Sequence, residues 1–169
     1  AYEISLGLVG SEMCIRDRYE LGAVEKFDPD MFIKSSYEEL RNCGLSKAKS
    51  DYIKGLACQI KKNPKFLKAM INEPDEKVIM DLVKIKGIGV WTAQMFLLFA
   101  LKRLDVFSQK DAGLMRGVKL TYFNGISPKI SELEKITNRW EPYRSIGSWF
   151  MWQVANAQPS IPGKSKRVG

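Results

Sequence analysis

The 169-residue chain contains no histidine and only three cysteines, Cys14, Cys43 and Cys58. The first absence removes every Ser/His/Asp triad and Cys/His dyad, because those arrangements need an imidazole to carry the proton. The second removes a four-thiolate zinc or iron–sulfur ligand set. Long apolar runs are missing as well. Nothing approaches the roughly 18–20 residues that span a bilayer, and no basic, apolar, small-residue series has the form of a secretory signal. The expectation is an intracellular protein, in cytoplasm, nucleoid or nucleus, with no membrane partner.

What is present points to a folded domain. With 45% hydrophobic, 11% aromatic and 27% charged residues the chain is able to bury a core, which argues against a disordered linker. Its length fits one domain or two small lobes. The 27 Lys and Arg against 19 Asp and Glu give a formal charge of +8 that no imidazole titration alters.

The opening tract AYEISLGLVGSEMCIRDR has neither a sustained helical period nor strand alternation. Glu12 to Arg18 back-translates to a sequence resembling a transposon end used in building sequencing libraries, so residues 1–18 are set aside as non-native. The remaining 151 residues hold 25 basic and 16 acidic side chains, a formal +9. The basic character therefore lies in residues 19–169, of which 19–158 form the expected domain and 159–169 (PSIPGKSKRVG) a flexible basic tail.

From Asp28 onward the punctuation is that of short helices. Ser35 with Glu38, or Ser36 with Glu39, makes a capping box, and Gly44 is placed to end that helix. A second helix starts at Ser46, with Ala48, Tyr52, Ile53, Leu56 and Ile60 on an apolar face and Lys47, Lys54 and Lys61 towards water. A short helix comes after Pro64. The segment from Asp75 to Lys84 puts Val78, Ile79, Leu82 and Val83 on one stripe and breaks at KIKGIG before an apolar helix from Trp91 to about Leu101. Asp111 opens the next helix, Ser127 with Pro128 another, and the last runs from Pro142 to Ala157. No strand pair and no internal repeat is found. The fold class is all-α.

The motif LVKIKGIGVWTAQ carries the first chemical signal. Gly87 and Gly89 permit backbone geometry closed to other residues, and the helix after them presents unpaired N–H groups, which makes an anion site. Lys84 and Lys86 add positive charge, so a nucleic-acid phosphate could be held there without any reading of the bases. Glycines that merely turn one helix into the next give the same pattern.

The joint spacing of L-V-K-I-K-G-I-G-V-W-T-A and, some twenty residues on, D-V-F-S-Q-K-D-A-G-L-M-R-G resembles the helix-hairpin-helix DNA glycosylase superfamily. F-D-P-D near Phe27, E-E-L-R-N-C-G-L-S-K-A-K at Glu38 to Lys49 and W-E-P-Y-R-S at Trp140 to Ser145 look most like its 3-methyladenine DNA glycosylase II branch. The resemblance covers about Leu21 to Ala157. It implies a helix-hairpin-helix glycosylase fold lacking part of the N-terminal lobe, a monomer, and double-stranded DNA with damaged bases as the partner. It also implies a phosphate-binding hairpin, here Lys84, Lys86, Gly87, Ile88, Gly89 and Thr92, often with a monovalent cation on backbone carbonyls. No other cofactor and no metal for the chemistry are expected.

The family's catalytic carboxylate maps onto Asp111. Asp is also a favoured N-cap, and the two roles are compatible. A fixed carboxylate near the sugar stabilises the oxocarbenium character of N-glycosidic cleavage or orients the attacking water. The neighbouring Asp105 is read as serving a turn or an ion pair. One departure precedes Asp111, where the family commonly has proline in F-P-x-x-D and this chain has Ser108. The lysine used by strand-cutting relatives is replaced by Trp91, which implies a monofunctional enzyme.

A base acted on in duplex DNA is flipped out and stacked in a pocket. The family's stacking aromatics map onto Trp91 and Trp152, whose electron-rich faces suit a cationic methylated purine. The helix containing Trp91 puts Ala93, Phe96, Leu97 and Ala100 on one side and Met95 and Leu98 with the tryptophan. On the last helix Tyr143, Ile146, Phe150 and Val154 form the apolar stripe, and Trp152 points away from it with Ser145 and Ser148. Both tryptophans have burial as their ordinary alternative, and Tyr122, Trp140 and Trp149 are assigned to the core.

The resulting expectation is a base excision repair enzyme that hydrolyses the N-glycosidic bond of alkylated purines to leave an abasic site. The alternatives are a non-catalytic DNA-binding module and a related glycosylase for oxidised or deaminated bases. A chain lacking upstream helices is expected to expose apolar surface.

Overall fold

The computed structural model describes residues 28–157, so the N-terminal tract, Phe27 of F-D-P-D and the basic tail lie outside the described residues. The described residues are helical with no strand, in two compact units divided between Arg103 and Leu104.

In the first unit, Asp28 caps α1 (Pro29–Lys34) by accepting the N–H of Asp30 at 2.9 Å. The capping box forms at Ser36: its hydroxyl accepts the Glu39 N–H at 3.1 Å and the Glu39 carboxylate accepts the Ser36 N–H at 2.7 Å, starting α2 (Tyr37–Asn42). The rival Ser35 instead donates its hydroxyl to the Met31 carbonyl at 2.7 Å and ends α1. Gly44 turns the chain out of α2 at φ +85°, a conformation open to glycine at no steric cost.

Ser46 caps α3 (Lys47–Lys62), as its sequence position indicates. The buried stripe is rotated from the expected one: Ser50 and Ala57 are its buried centre and Ala48 is exposed. Lys54 is not turned to water alone. Its ammonium donates to the carbonyls of Ser35 and Ile33, taking up acceptors left at the end of α1. A short α4 (Phe66–Ala69) runs into one 3-10 turn, Met70–Asn72. Next comes α5 (Asp75–Leu82), in which Val78 and Leu82 are buried and Val83 just beyond is exposed. Arg103 ties the end of this unit back to its middle, donating to the carbonyls of Ile71 and Glu73 at 2.9 and 2.8 Å and pairing with Asp75.

After the glycine bend comes α6 (Val90–Met95), which widens into a π-helical turn over Phe96–Ala100. The Leu101 N–H reaches the Phe96 carbonyl at 3.1 Å, a five-residue step. Ala93, Phe96 and Leu97 are buried as expected, but Met95 is buried with them rather than lying beside the exposed Trp91.

The second unit is built on α7 (Ala112–Tyr122) and α9 (Arg144–Ala157), with α8 (Ile130–Thr137) and a 3-10 turn at Asn138–Trp140 between them. The start of α8 lies later than Ser127 indicated, because the Glu132 carboxylate accepts the Lys129 N–H at 2.8 Å and sets the first turn there. Leu114, Val118, Leu133 and Met151 form the core, with Trp140, Trp152 and Val154 packed against it. At Gly117 an added Cβ would lie 1.9 Å from the Met151 carbonyl oxygen. The two helices therefore touch backbone to backbone there.

The expected facing of α9 is overturned. Tyr143, Ile146 and Phe150 are exposed, and Ser145, Ser148, Met151 and Ala155 are the buried positions. The cause is polar: the Ser145 hydroxyl accepts the Val106 N–H at 3.0 Å, while the Ser148 hydroxyl donates to the Arg144 carbonyl at 2.8 Å with the Val106 carbonyl 3.4 Å away. Ser145, whose N–H also donates to the Leu104 carbonyl at 2.9 Å, thus holds the strap before Asp111 to this face of the helix. Trp149 and Tyr122, assigned to the core from sequence, are also exposed.

Candidate functional site

The residues expected from the sequence to form a site fall in both units: the hairpin and Trp91 in the first, Asp111 and Trp152 in the second. In the first, the bend between α5 and α6 is closed by the Ile85 N–H on the Leu82 carbonyl and the Ile88 N–H on the Ile85 carbonyl, each at 3.0 Å. Gly87 sits at φ +92°, so glycine is required there by conformation. It is also required by space. A Cβ at Gly87 would lie 2.1 Å from Cγ of Tyr52, which means that the bend rests directly on the Tyr52 ring of α3. The sequence reading placed Tyr52 on an apolar helix face and missed that it supports the hairpin; no local motif marks it.

Gly89 differs from its expectation. Its φ of −93° and ψ of 175° are extended backbone open to any residue, and a Cβ there would meet nothing within 4 Å. The missing side chain leaves room for something outside the chain. No side chain caps α6, which begins at the next residue. Lys86 is exposed, and Lys84 lies 2.7 Å from Asp81, which also pairs with Lys77. Hydrogen bonds from Lys77 and Lys84 hold the Asp81 carboxyl below the usual carboxylate range. Thr92 is half-buried, and Trp91 is 43% exposed, so its indole is not consumed by the core.

In the second unit Asp111 is buried and caps α7, with Oδ1 accepting the Leu114 N–H at 2.6 Å. The same oxygen accepts the indole Nε1–H of Trp152 at 2.8 Å. The structure thus joins Asp111 and Trp152, assigned separately from sequence as carboxylate and stacking ring, by a hydrogen bond. Ser108 is buried, and its carbonyl accepts the Asp111 N–H at 3.1 Å, so a turn forms without proline. A Cβ at Gly113 would approach Trp152 Cδ1 at 3.3 Å and Asp111 Oδ1 at 3.4 Å. Gly113 and Gly117, four residues apart on one face of α7, were the available signal that another helix lies close.

Asp105 takes the role expected of it. Arg144 grips it with Nε at 2.7 Å from Oδ1 and an Nη at 2.9 Å from Oδ2, and these bonds hold its carboxyl below the ordinary range. Asp105 is spent on this fork. Among the described residues no three of His, Cys, Asp and Glu gather where they could hold a metal ion, and no helix is long and apolar enough to cross a membrane.

A glycine hairpin between helices, a basic flank and a buried carboxylate at the start of a later helix define a helix-hairpin-helix protein of the DNA repair type. The chain belongs to the HhH-GPD superfamily of base excision DNA repair proteins, whose pattern matches residues 15–142. It is 35% identical over 127 residues to the alkylbase DNA glycosidase-like protein mag2 of Schizosaccharomyces pombe, covering 75% of this chain and 60% of that one. It is 31% identical to a DNA-3-methyladenine glycosylase of Saccharomyces cerevisiae, covering 76% and 53%. The chain thus spans little more than half the length of these relatives. The crystal structure of a DNA-3-methyladenine glycosidase from Bacillus halodurans superposes with a TM-score of 0.71 at 33% identity, covering 91% of this chain and 75% of that one. A 3-methyladenine DNA glycosylase of Schizosaccharomyces pombe, solved with abasic DNA, shares the fold with a TM-score of 0.74 at 23% identity, covering 89% and 78%.

Proposed function

We propose that the protein is a monofunctional DNA glycosylase that acts as a monomer on duplex DNA and hydrolyses the N-glycosidic bond of alkylated purines. Water adds to C1′ of the sugar and releases a proton to solvent, the bond to the base nitrogen breaks with its electron pair going to the cationic base, which departs neutral, and an abasic site remains with the strand uncut. The observation that carries this reading is Asp111: a buried carboxylate whose orientation is fixed by the Leu114 N–H and the Trp152 indole, in a chain of this family. A carboxylate already oriented needs little reorganisation when positive charge develops on the sugar, which is where preorganised groups contribute most. The hairpin of Lys84, Lys86, Gly87, Ile88, Gly89 and Thr92 serves as the phosphate anchor, supported by the open space at Gly89. Trp91 supplies an exposed ring for the extruded base.

The reading requires no cofactor for the chemistry. A monovalent cation fits the donor set of the bend, because carbonyl oxygens keep a second lone pair even where one accepts an N–H. Such an ion would add positive charge for a phosphate.

A non-catalytic DNA-binding module is the reading favoured by the capping bond of Asp111, which a purely structural aspartate would also make. Asp111→Asn separates the two, since asparagine caps a helix about as well as aspartate. Under single-turnover conditions with enzyme in excess, release of methylated purines should fall by about 10²–10³-fold in the variant, with duplex binding unchanged. Equal release by both proteins would sink the catalytic assignment, and binding without release by either would favour the module.

A further inference from the structure

We infer that the side of α3 running through Lys49, Tyr52 and Gly55 carries a second phosphate contact beside the hairpin, so that a duplex backbone lies along this helix as well as on the bend. The inference rests on the reading of the hairpin as a phosphate anchor and deepens it. Residues three apart are neighbours on a helix surface, with Cβ atoms about 5–6 Å apart. Tyr52 is the middle residue of the series, and the bend rests on its ring, where a Cβ at Gly87 would lie 2.1 Å from Cγ. Lys49 and Gly55 therefore flank the support of the bend, about one turn to either side of it.

Gly55 lies inside a helix of 16 residues, a place where glycine is less favourable than any residue but proline. Gly117 and Gly147, inside other helices, have a packing reason: a Cβ would lie 1.9 Å from the Met151 carbonyl oxygen at the first and 2.6 Å from Trp140 Cε3 at the second. Gly55 has no such reason. It is exposed, and a Cβ there would meet nothing within 4 Å. Gly89, in the same unit, is open in the same way. Room of this kind is what a backbone approaching closely from outside the chain requires.

The charge beside that space fits a phosphate. Lys54 is spent on the carbonyls at the end of α1 and Lys61 on Asp30. Lys49 is exposed and forms no ion pair among the described residues. Asp51, the only acid of α3, accepts the Tyr37 hydroxyl at 2.6 Å and is thereby held towards α2. Along one strand of a duplex a nucleotide rises about 3.4 Å, so a cation about 5–6 Å from the support of the bend meets a phosphate within a nucleotide or two of the one held there. Contacts of this kind position a duplex and read no base.

Gly55→Ala separates this from an ordinary helix glycine, because its two effects have opposite sign. The denaturant midpoint should equal or exceed the parent's, while the dissociation constant for an undamaged duplex should rise at least about fivefold. Lys49→Ala should lower the salt slope of duplex affinity by about 0.9. Lys135→Ala, which removes an exposed lysine from α8 in the other unit, should leave the slope as in the parent. Parent-like affinity in Gly55→Ala, a parent-like slope in Lys49→Ala, or an equal fall in slope with Lys135→Ala would overturn the inference. So would a lowered midpoint in Gly55→Ala, because the space would then be filled by the fold itself. The hairpin is tested apart from α3: if Gly89→Ala and Lys86→Ala both bind duplex as the parent does, the anchor reading fails and the inference with it.

Discussion

Asp105 and Asp111 lie six residues apart on one strap and are put to opposite uses by what surrounds them. Asp105 meets a guanidinium along both oxygens, so its ionised form is favoured in the folded protein and its pKa lies below the ordinary value of 3.8. A carboxyl depressed by folding contributes stability at every pH above its unfolded pKa and loses that contribution as pH falls through the folded value. The window here is therefore the acid one, below 3.8. Asp105→Asn should cost about 1 kcal/mol at neutral pH, the upper end for a pair that still meets solvent, and that cost should shrink as the pH of denaturant titrations is taken down past this window. A difference between parent and variant that stays constant from neutral to acid pH would count against the fork as its source. The roles of these two residues were legible in part: their identities and the capping position of Asp111 are local, but Arg144 and Trp152 are 39 and 41 residues away in sequence, and no spacing rule reaches so far.

Helix starts were readable because their causes are short-range. Ser36, Ser46 and Asp111 each bond a backbone N–H three residues on, a relation the sequence itself displays. Facing was less readable where polar bonds decide it. On α9 the apolar stripe counted from sequence is exposed at Tyr143, Ile146 and Phe150 because the Ser145 hydroxyl binds the Val106 N–H and turns the serine face inward. The hairpin illustrates both sides: its glycines stand out, but only the fold shows that they act differently. Gly87→Ala sets a side chain at φ +92° against the Tyr52 ring and should destabilise the protein by about 1–3 kcal/mol. Gly89→Ala meets neither problem and should cost under about 1 kcal/mol, yet weaken binding of damaged and undamaged duplex alike by filling the space left for a phosphate. Denaturant midpoints and duplex titrations of the two variants separate folding from contact, and parent-like binding by Gly89→Ala would remove the hairpin from the interface.

At the scale of the whole molecule the proposed function divides between the excess of positive charge, +8 over 169 residues, which would set how strongly a duplex is held, and the carboxylate of Asp111, which would set whether a bond is cut. The two contributions respond to different variables. Phosphate neutralisation releases counterions, so the logarithm of the duplex affinity should fall linearly with the logarithm of salt concentration, with a slope of about 0.9 per phosphate neutralised. Lys86 and Lys84 are unequal in this respect. Lys86 is exposed at the bend, and Lys86→Ala should lower the slope by about 0.9, equally for damaged and undamaged DNA, because a phosphate contact carries no base information. Lys84 is held by Asp81 at 2.7 Å, so part of its attraction for a phosphate is offset before DNA arrives. Removing the competitor should then help: Asp81→Asn is expected to tighten duplex binding at low salt, an advantage that fades as salt rises beyond a Debye length of about 8 Å near 0.15 M, with the single-turnover rate at saturation unchanged. A slope unaltered by Lys86→Ala, or an Asp81→Asn protein that binds more weakly, would place the phosphate contacts on some other basic face of the molecule.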